Sequence, residues 1–159
     1  MTDIPEEHSR GFPHVCCVEG NIYLVGGLGD RRVTEYNLRT NTWRNMPRFE
    51  QARNGHFVCT LNNKIFVLGG GDPTCEMLDL SDDDPHWKYM DQMNRVHFCG
   101  SGAVISERKI YVLGTPNGTP NVEMYDVDQG THEDKKKLSI QKRRLPFGID
   151  NFFLASHVY

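Results

Sequence analysis

Seven histidines, five cysteines and a run of three aspartates are the side chains here that could do chemistry. A metal centre needs His, Cys or carboxylate ligands at set spacings, and the sequence has no HxxxH and no CxxC. Asp82-Asp83-Asp84 lacks the alternating positions and closing Glu of a calcium loop, so it reads as a solvated loop. Gly69-Gly70-Gly71 is followed by neither Lys-Ser/Thr nor a helical pattern, which removes the phosphate-cradle reading. No serine sits in a GxSxG elbow, and Cys16, Cys17, Cys59, Cys75 and Cys99 have no basic or His pattern that singles out a nucleophile. The expectations are therefore no catalytic residue, no metal and no cofactor, with thiols reduced and mostly buried.

Basic residues remain as recognition chemistry. Arg10, Arg53 and Arg95 precede similar apolar segments at similar distances, and a guanidinium makes bidentate bonds to carboxylate or phosphate. Their repetition equally fits bracing of loops through backbone carbonyls. Less repetitive neighbours are better candidates for specificity: Asp30, Arg31 and Arg32, then Asp72, Pro73 and Thr74, then Asn117 and Thr119. His14, His56 and His97 follow the arginines closely, which points to packing at strand starts. Six basic residues between Lys135 and Arg144 form the one local charge anomaly, read as an exposed strand and loop.

Positioning these groups falls to a repeat. Asn21-Ile-Tyr-Leu-Val-Gly26, Lys64-Ile-Phe-Val-Leu-Gly69 and Lys109-Ile-Tyr-Val-Leu-Gly114 align without gaps, their glycines 43 and 45 residues apart. Each run leads to a second β-type segment, holding Tyr36, Leu78 or Tyr125; Trp43 and Trp87 follow in the first two units. Arg95 lies 19 residues before its glycine where Arg10 and Arg53 lie 16 before theirs, and the natural place for three extra residues is the turn at Ser106-Glu107-Arg108. Short runs rich in Val, Ile, Tyr and Phe, punctuated by turn residues, predict four strands per unit and no helix.

The pattern resembles the kelch repeat, an apolar strand ending in Gly-Gly, then a spaced Tyr and a spaced Trp. Gly26, Gly27, Tyr36 and Trp43 match throughout; Gly69, Gly70 and Trp87 match with Leu78 for Tyr; Gly114 and Tyr125 match without a Trp. The resemblance implies an all-β fold, an incomplete kelch-type β-propeller of about three four-stranded blades plus partial strands at both termini. The whole chain, 1–159, reads as a single domain with repeats near 10–52, 53–94 and 95–139, a partial fourth blade over 143–159 and a candidate N-terminal strand over 1–6. Open terminal blades would expose apolar faces and strand edges, so self-association is expected if the chain does not close on itself or belong to a larger propeller.

The resemblance also implies a non-catalytic protein-binding module that presents loops to a partner. On those loops the candidate contacts are Asp30, Arg31, Arg32, Arg53, Asp72, Thr74, Arg95 and Asn117. Many kelch proteins are substrate receptors of cullin-type ubiquitin ligases, joined through a BTB or F-box adaptor, and others are cytoskeletal scaffolds. The alternative is a sugar- or alcohol-processing enzyme on a kelch-type propeller. A net charge of −3 offers nucleic acid no global attraction, and no apolar run approaches a membrane span. The acidic N-terminus lacks an apolar signal region, which places the expectation in the cytoplasm.

Overall fold

The computed structural model describes residues 3–6, 11–97, 102–114 and 121–128. Those residues form three antiparallel sheets and no α-helix. The first contains β1 (His14–Val18), β2 (Asn21–Val25), β3 (Val33–Asn37) and β4 (Thr42–Met46). The second contains β5 (Phe57–Leu61), β6 (Lys64–Leu68), β7 (Cys75–Asp79) and β8 (Trp87–Met90). The third contains β9 (Gly102–Ser106), β10 (Lys109–Gly114) and β11 (Asn121–Asp126). Each sheet is a meander in chain order. The fourth strand of the third repeat, the partial blade over 143–159 and the basic run from Lys135 to Arg144 lie outside the described residues. Residues 3–6 include no strand.

Alternation of side chains across the pleat gives each sheet two faces, and the sheets stack through the apolar faces they turn towards one another. From the first sheet Val25, Val33 and Met46 meet Ile65, Val67, Leu78 and Trp87 of the second. Phe57, Phe66, Leu68 and Cys75, on the opposite face of the second sheet, meet Ile110 and Val112 of the third. Trp87 seals the first junction: its Nε1 donates to the Pro47 carbonyl at 2.8 Å, and its ring meets Phe49 edge-on, centroids 5.6 Å apart. The indole thereby buries a large apolar surface with its polar atom satisfied.

All three first hairpins turn through two residues in the left-handed region: Glu19-Gly20, Asn62-Asn63 and Glu107-Arg108. Such turns match the twist of the flanking strands. The third repeat therefore has no extra length at Ser106-Glu107-Arg108, and the placement of the insertion there is corrected.

Measured instead from the end of the preceding sheet, Arg53 follows Met46 by seven residues, and His97, not Arg95, follows Met90 by seven. The hydrogen bonds confirm this register. Phe49 N donates to Arg31 O at 3.2 Å and Met93 N to Pro73 O at 2.9 Å, each three residues beyond the last strand. Arg95 is thus the counterpart of Gln51, and the added length lies between His97 and β9.

Gly26 and Gly69 occupy equivalent corners just past β2 and β6. Each turns through a positive φ, +61° and +65°, and donates its N–H across the loop, to Arg32 O at 2.7 Å and Thr74 O at 3.2 Å. A Cβ on Gly26 would lie 2.9 Å from Phe49 Cζ and one on Gly69 3.1 Å from Met93 Cε, so matching residues stand close to both. Gly114 differs, remaining inside β10 paired with Asn121.

Candidate functional site

One rim of the stack is made by the loops 26–32 and 69–74 and by the linkers 47–56 and 91–97. Its rigidity begins with a carboxylate inside a strand. Glu76 of β7 is fully buried, and it accepts from Glu50 N at 2.6 Å, Gln51 N at 3.1 Å and Arg53 NH2 at 2.8 Å. Arg53, 1% exposed, also donates to Gly69 O at 2.7 Å and Thr74 O at 2.8 Å, and to Thr74 Oγ1 at 2.9 Å. One guanidinium thus ties the linker to the second sheet and to its glycine corner. Arg53 is withdrawn from the partner-facing candidates, because both terminal nitrogens are engaged internally and its surface is covered.

The third sheet repeats the clamp with different chemistry. Glu123 accepts from Asn94 N at 2.6 Å and from His97 Nε2 at 3.2 Å, and His97 is fully buried. Imidazole stands where guanidinium stands one blade earlier. Arg95 is consequently released to the surface, exposed and without a hydrogen bond among the described residues.

The specificity candidates divide by exposure. Arg32 and Asp30 are half-buried and bind each other, Nε to Oδ2 at 2.7 Å, while Asp30 also accepts from Arg32 N at 3.0 Å. Burial works against the Asp30 anion, yet these bonds hold its carboxyl below the usual range. Asp72 is held down in the same way by Thr74, whose N–H lies 2.7 Å from Oδ1 and whose hydroxyl also donates to it. Both pairs are loop staples. The Arg31 side chain is exposed and donates from one terminal nitrogen to Glu50 O at 3.0 Å. Asn117 and Thr119, like Arg10, lie outside the described residues.

Rim residues absent from the sequence expectations are Phe12, 83% exposed, Leu28, 63% exposed, and Arg48, exposed. Leu28 N donates to Gly11 O at 2.7 Å, which brings the Phe12 segment beside the first loop. Arg48 and Arg32 border an open cleft of about 290 Å³ with Val33, Asn45 and Met46. Glu76 and Glu123 were also missed; their signal was an acid between apolar residues in the third strand of its repeat, in Cys75-Glu76-Met77 and Val122-Glu123-Met124.

Among the described residues no group of three or more His, Cys, Asp or Glu could hold a metal ion. Burial pushes the thiols of Cys16, Cys59 and Cys75 up to about 12, opposite to the shift a nucleophile needs. His56 is displaced the other way. Burial, the neighbouring His14 ring at 4.6 Å and the Arg53 charge lower it to about 4 against the Val25 carbonyl bond. An unfolded chain with its His near 6.5 binds more protons between those values, so stability falls as pH drops from about 6.5 towards 4. This offset is worth roughly 3 kcal/mol. Urea midpoints measured at pH 7.5 and 4.5 should show that loss, and His56→Gln should flatten the dependence; an unaltered slope would refute the assignment.

No protein-family model matches the chain. The sequence is 30% identical over 128 residues to an F-box/kelch-repeat protein of Arabidopsis thaliana, a match covering 73% of this chain and 30% of that protein. It is 28% identical over 136 residues to Kelch-like protein 36 of Bos taurus, covering 74% of this chain. This is a kelch-repeat chain. Its three sheets are consecutive blades of an incomplete kelch β-propeller. Kelch repeat and BTB domain-containing protein 12 of Homo sapiens is a further relative, 26% identical over 120 residues. The kelch-repeat chain spans less than a third of the length of the curated relatives it matches. None of its described helical turns is long and apolar enough to cross a membrane.

Proposed function

We propose that this kelch-repeat chain is a protein-binding module whose rim takes an extended acidic segment of a partner, held through complementarity without covalent chemistry. The observation that carries this reading is a division of labour among the rim's cations. Arg53 and Arg32 lock the loops, while Arg31, Arg48 and Arg95 are exposed on the loops and linkers of a rim that also exposes Phe12 and Leu28. A stapled rim loses little entropy on binding, and arginine is among the residues that most often dominate binding energy. Relatives whose names join kelch repeats to an F-box or a BTB domain support a receptor role. In a longer protein with such an adaptor, the rim would choose substrates for a cullin-type ubiquitin ligase.

An array of acidic, phosphorylated and neutral peptides, read by fluorescence anisotropy with the full chain, tests this. Acidic peptides should bind, weaken as salt is raised, and lose at least about tenfold in affinity with Arg31→Glu/Arg95→Glu. A peptide profile that the double reversal leaves unchanged rules the rim out.

A further inference from the structure

The junctions between described blades follow one rule: the face a blade turns towards the next packs on the facing side of its successor. The strand registers identify counterparts at the two faces that no described blade covers. Val15 of β1 holds the position of Val58 in β5 and Ala103 in β9, both packed against the preceding sheet. Yet Val15 is 63% exposed, and Cys17, two residues on along the same face, is exposed too. At the other end Val104 of β9 holds the position of Cys16 and Cys59, both packed against the following sheet, and it is 39% exposed.

A polar atom marks the first of these faces as an unfilled junction. Trp43 and Trp87 stand at the same register, opposite Tyr36 and Leu78. Trp87 Nε1 donates to the Pro47 carbonyl of the linker that precedes its blade, whereas Trp43 Nε1 is buried with no hydrogen-bond partner among the described residues. An indole N–H in that position costs about 1–3 kcal/mol until an acceptor arrives.

We propose that two copies of this chain pair head to tail, the Val104 face of each third blade seated on the Val15 and Trp43 face of the other copy's first blade. The occupant is a second copy because the molecule itself carries both halves of one junction type. The mating pattern is the one already used twice within the chain. Contacts between unlike surfaces of identical copies either close into a ring or run on indefinitely. Two copies supply twice the three described sheets, within the range of about four to eight blades at which propellers close. The inference stands apart from the peptide-binding rim, which uses the loops and not the sheet faces.

Sedimentation of the full chain across about a hundredfold concentration range tests the pairing. The expected species has twice the 18.2 kDa chain mass at the upper end. Val15→Glu and Val104→Glu should each give monomer with unchanged far-ultraviolet circular dichroism, because both sites are solvent-facing in the single chain. Leu38→Glu, on an exposed turn away from both faces, should leave the dimer intact. A wild-type chain that stays monomeric throughout overturns the proposal. So does loss of the dimer with only one of the two valine variants, which would indicate like faces pairing.

Discussion

Arg53→Met should lower the stability of this kelch-repeat chain by about 3–5 kcal/mol, the cost of leaving a buried charge without its partner. The Glu76 carboxylate would keep the Glu50 and Gln51 amides and lose its ion pair with the guanidinium, at 2.8 Å. The carbonyls of Gly69 and Thr74 would lose their shared donor as well. Pairing the change with Glu76→Gln should recover about 1–3 kcal/mol, because the stranded charge is gone and the glutamine oxygen still accepts from one of the two linker amides, which bond to different oxygens of the carboxylate. Arg53→Lys should recover less than the charge alone suggests, since one ammonium cannot reproduce a planar fork spread over two carbonyls, a hydroxyl and a carboxylate. Urea midpoints of the three variants measure these differences. A midpoint for Arg53→Met within error of the parent would mean that the clamp does not hold the second blade.

Gly70→Ala is the second large effect, about 2–4 kcal/mol from two sources acting together. Gly70 has φ +92°, where a side chain is strained, and its Cβ would lie 2.9 Å from both the Arg53 and His56 Cβ atoms and 3.0 Å from the His56 amide. The neighbouring Gly71 separates the sources. Its φ is +103°, but an added Cβ would meet nothing within 4 Å, so Gly71→Ala should cost only the strain, about 1 kcal/mol. Thermal unfolding of both variants makes the comparison. Equal losses would show that backbone strain, and not the close approach to Arg53 and His56, requires glycine at position 70. The unequal result would also explain why a Gly-Gly corner and a basic clamp occur together, for each needs the room the other leaves.

Much of this architecture was legible in the chain because it is local. Strand-turn-strand units with Gly-bounded apolar runs follow from side-chain alternation and two-residue turns, and both are set by residues within a few positions of one another. Hence the three hairpins, the equivalence of Gly26 with Gly69, and the packing of Trp87 and Leu78 between sheets could be read from the repeat. The kelch resemblance rested on the same local marks.

What the tertiary structure decided is which repeated residue does which task. Three arginines at similar spacing looked equivalent, yet one is buried in a clamp and another, Arg95, is exposed while His97 takes the buried place opposite Glu123. That assignment depends on the register of a linker against a strand some 25 residues away, and a spacing measured only to the following glycine does not contain it. Exposure of Phe12 and Leu28, and the indole N–H of Trp43 left unpaired among the described residues, likewise depend on which sheets lie alongside. Sequence periodicity specifies the blades, because each blade is made of short-range contacts; the contacts between blades alone determine which charges are buried and which surfaces remain for partners.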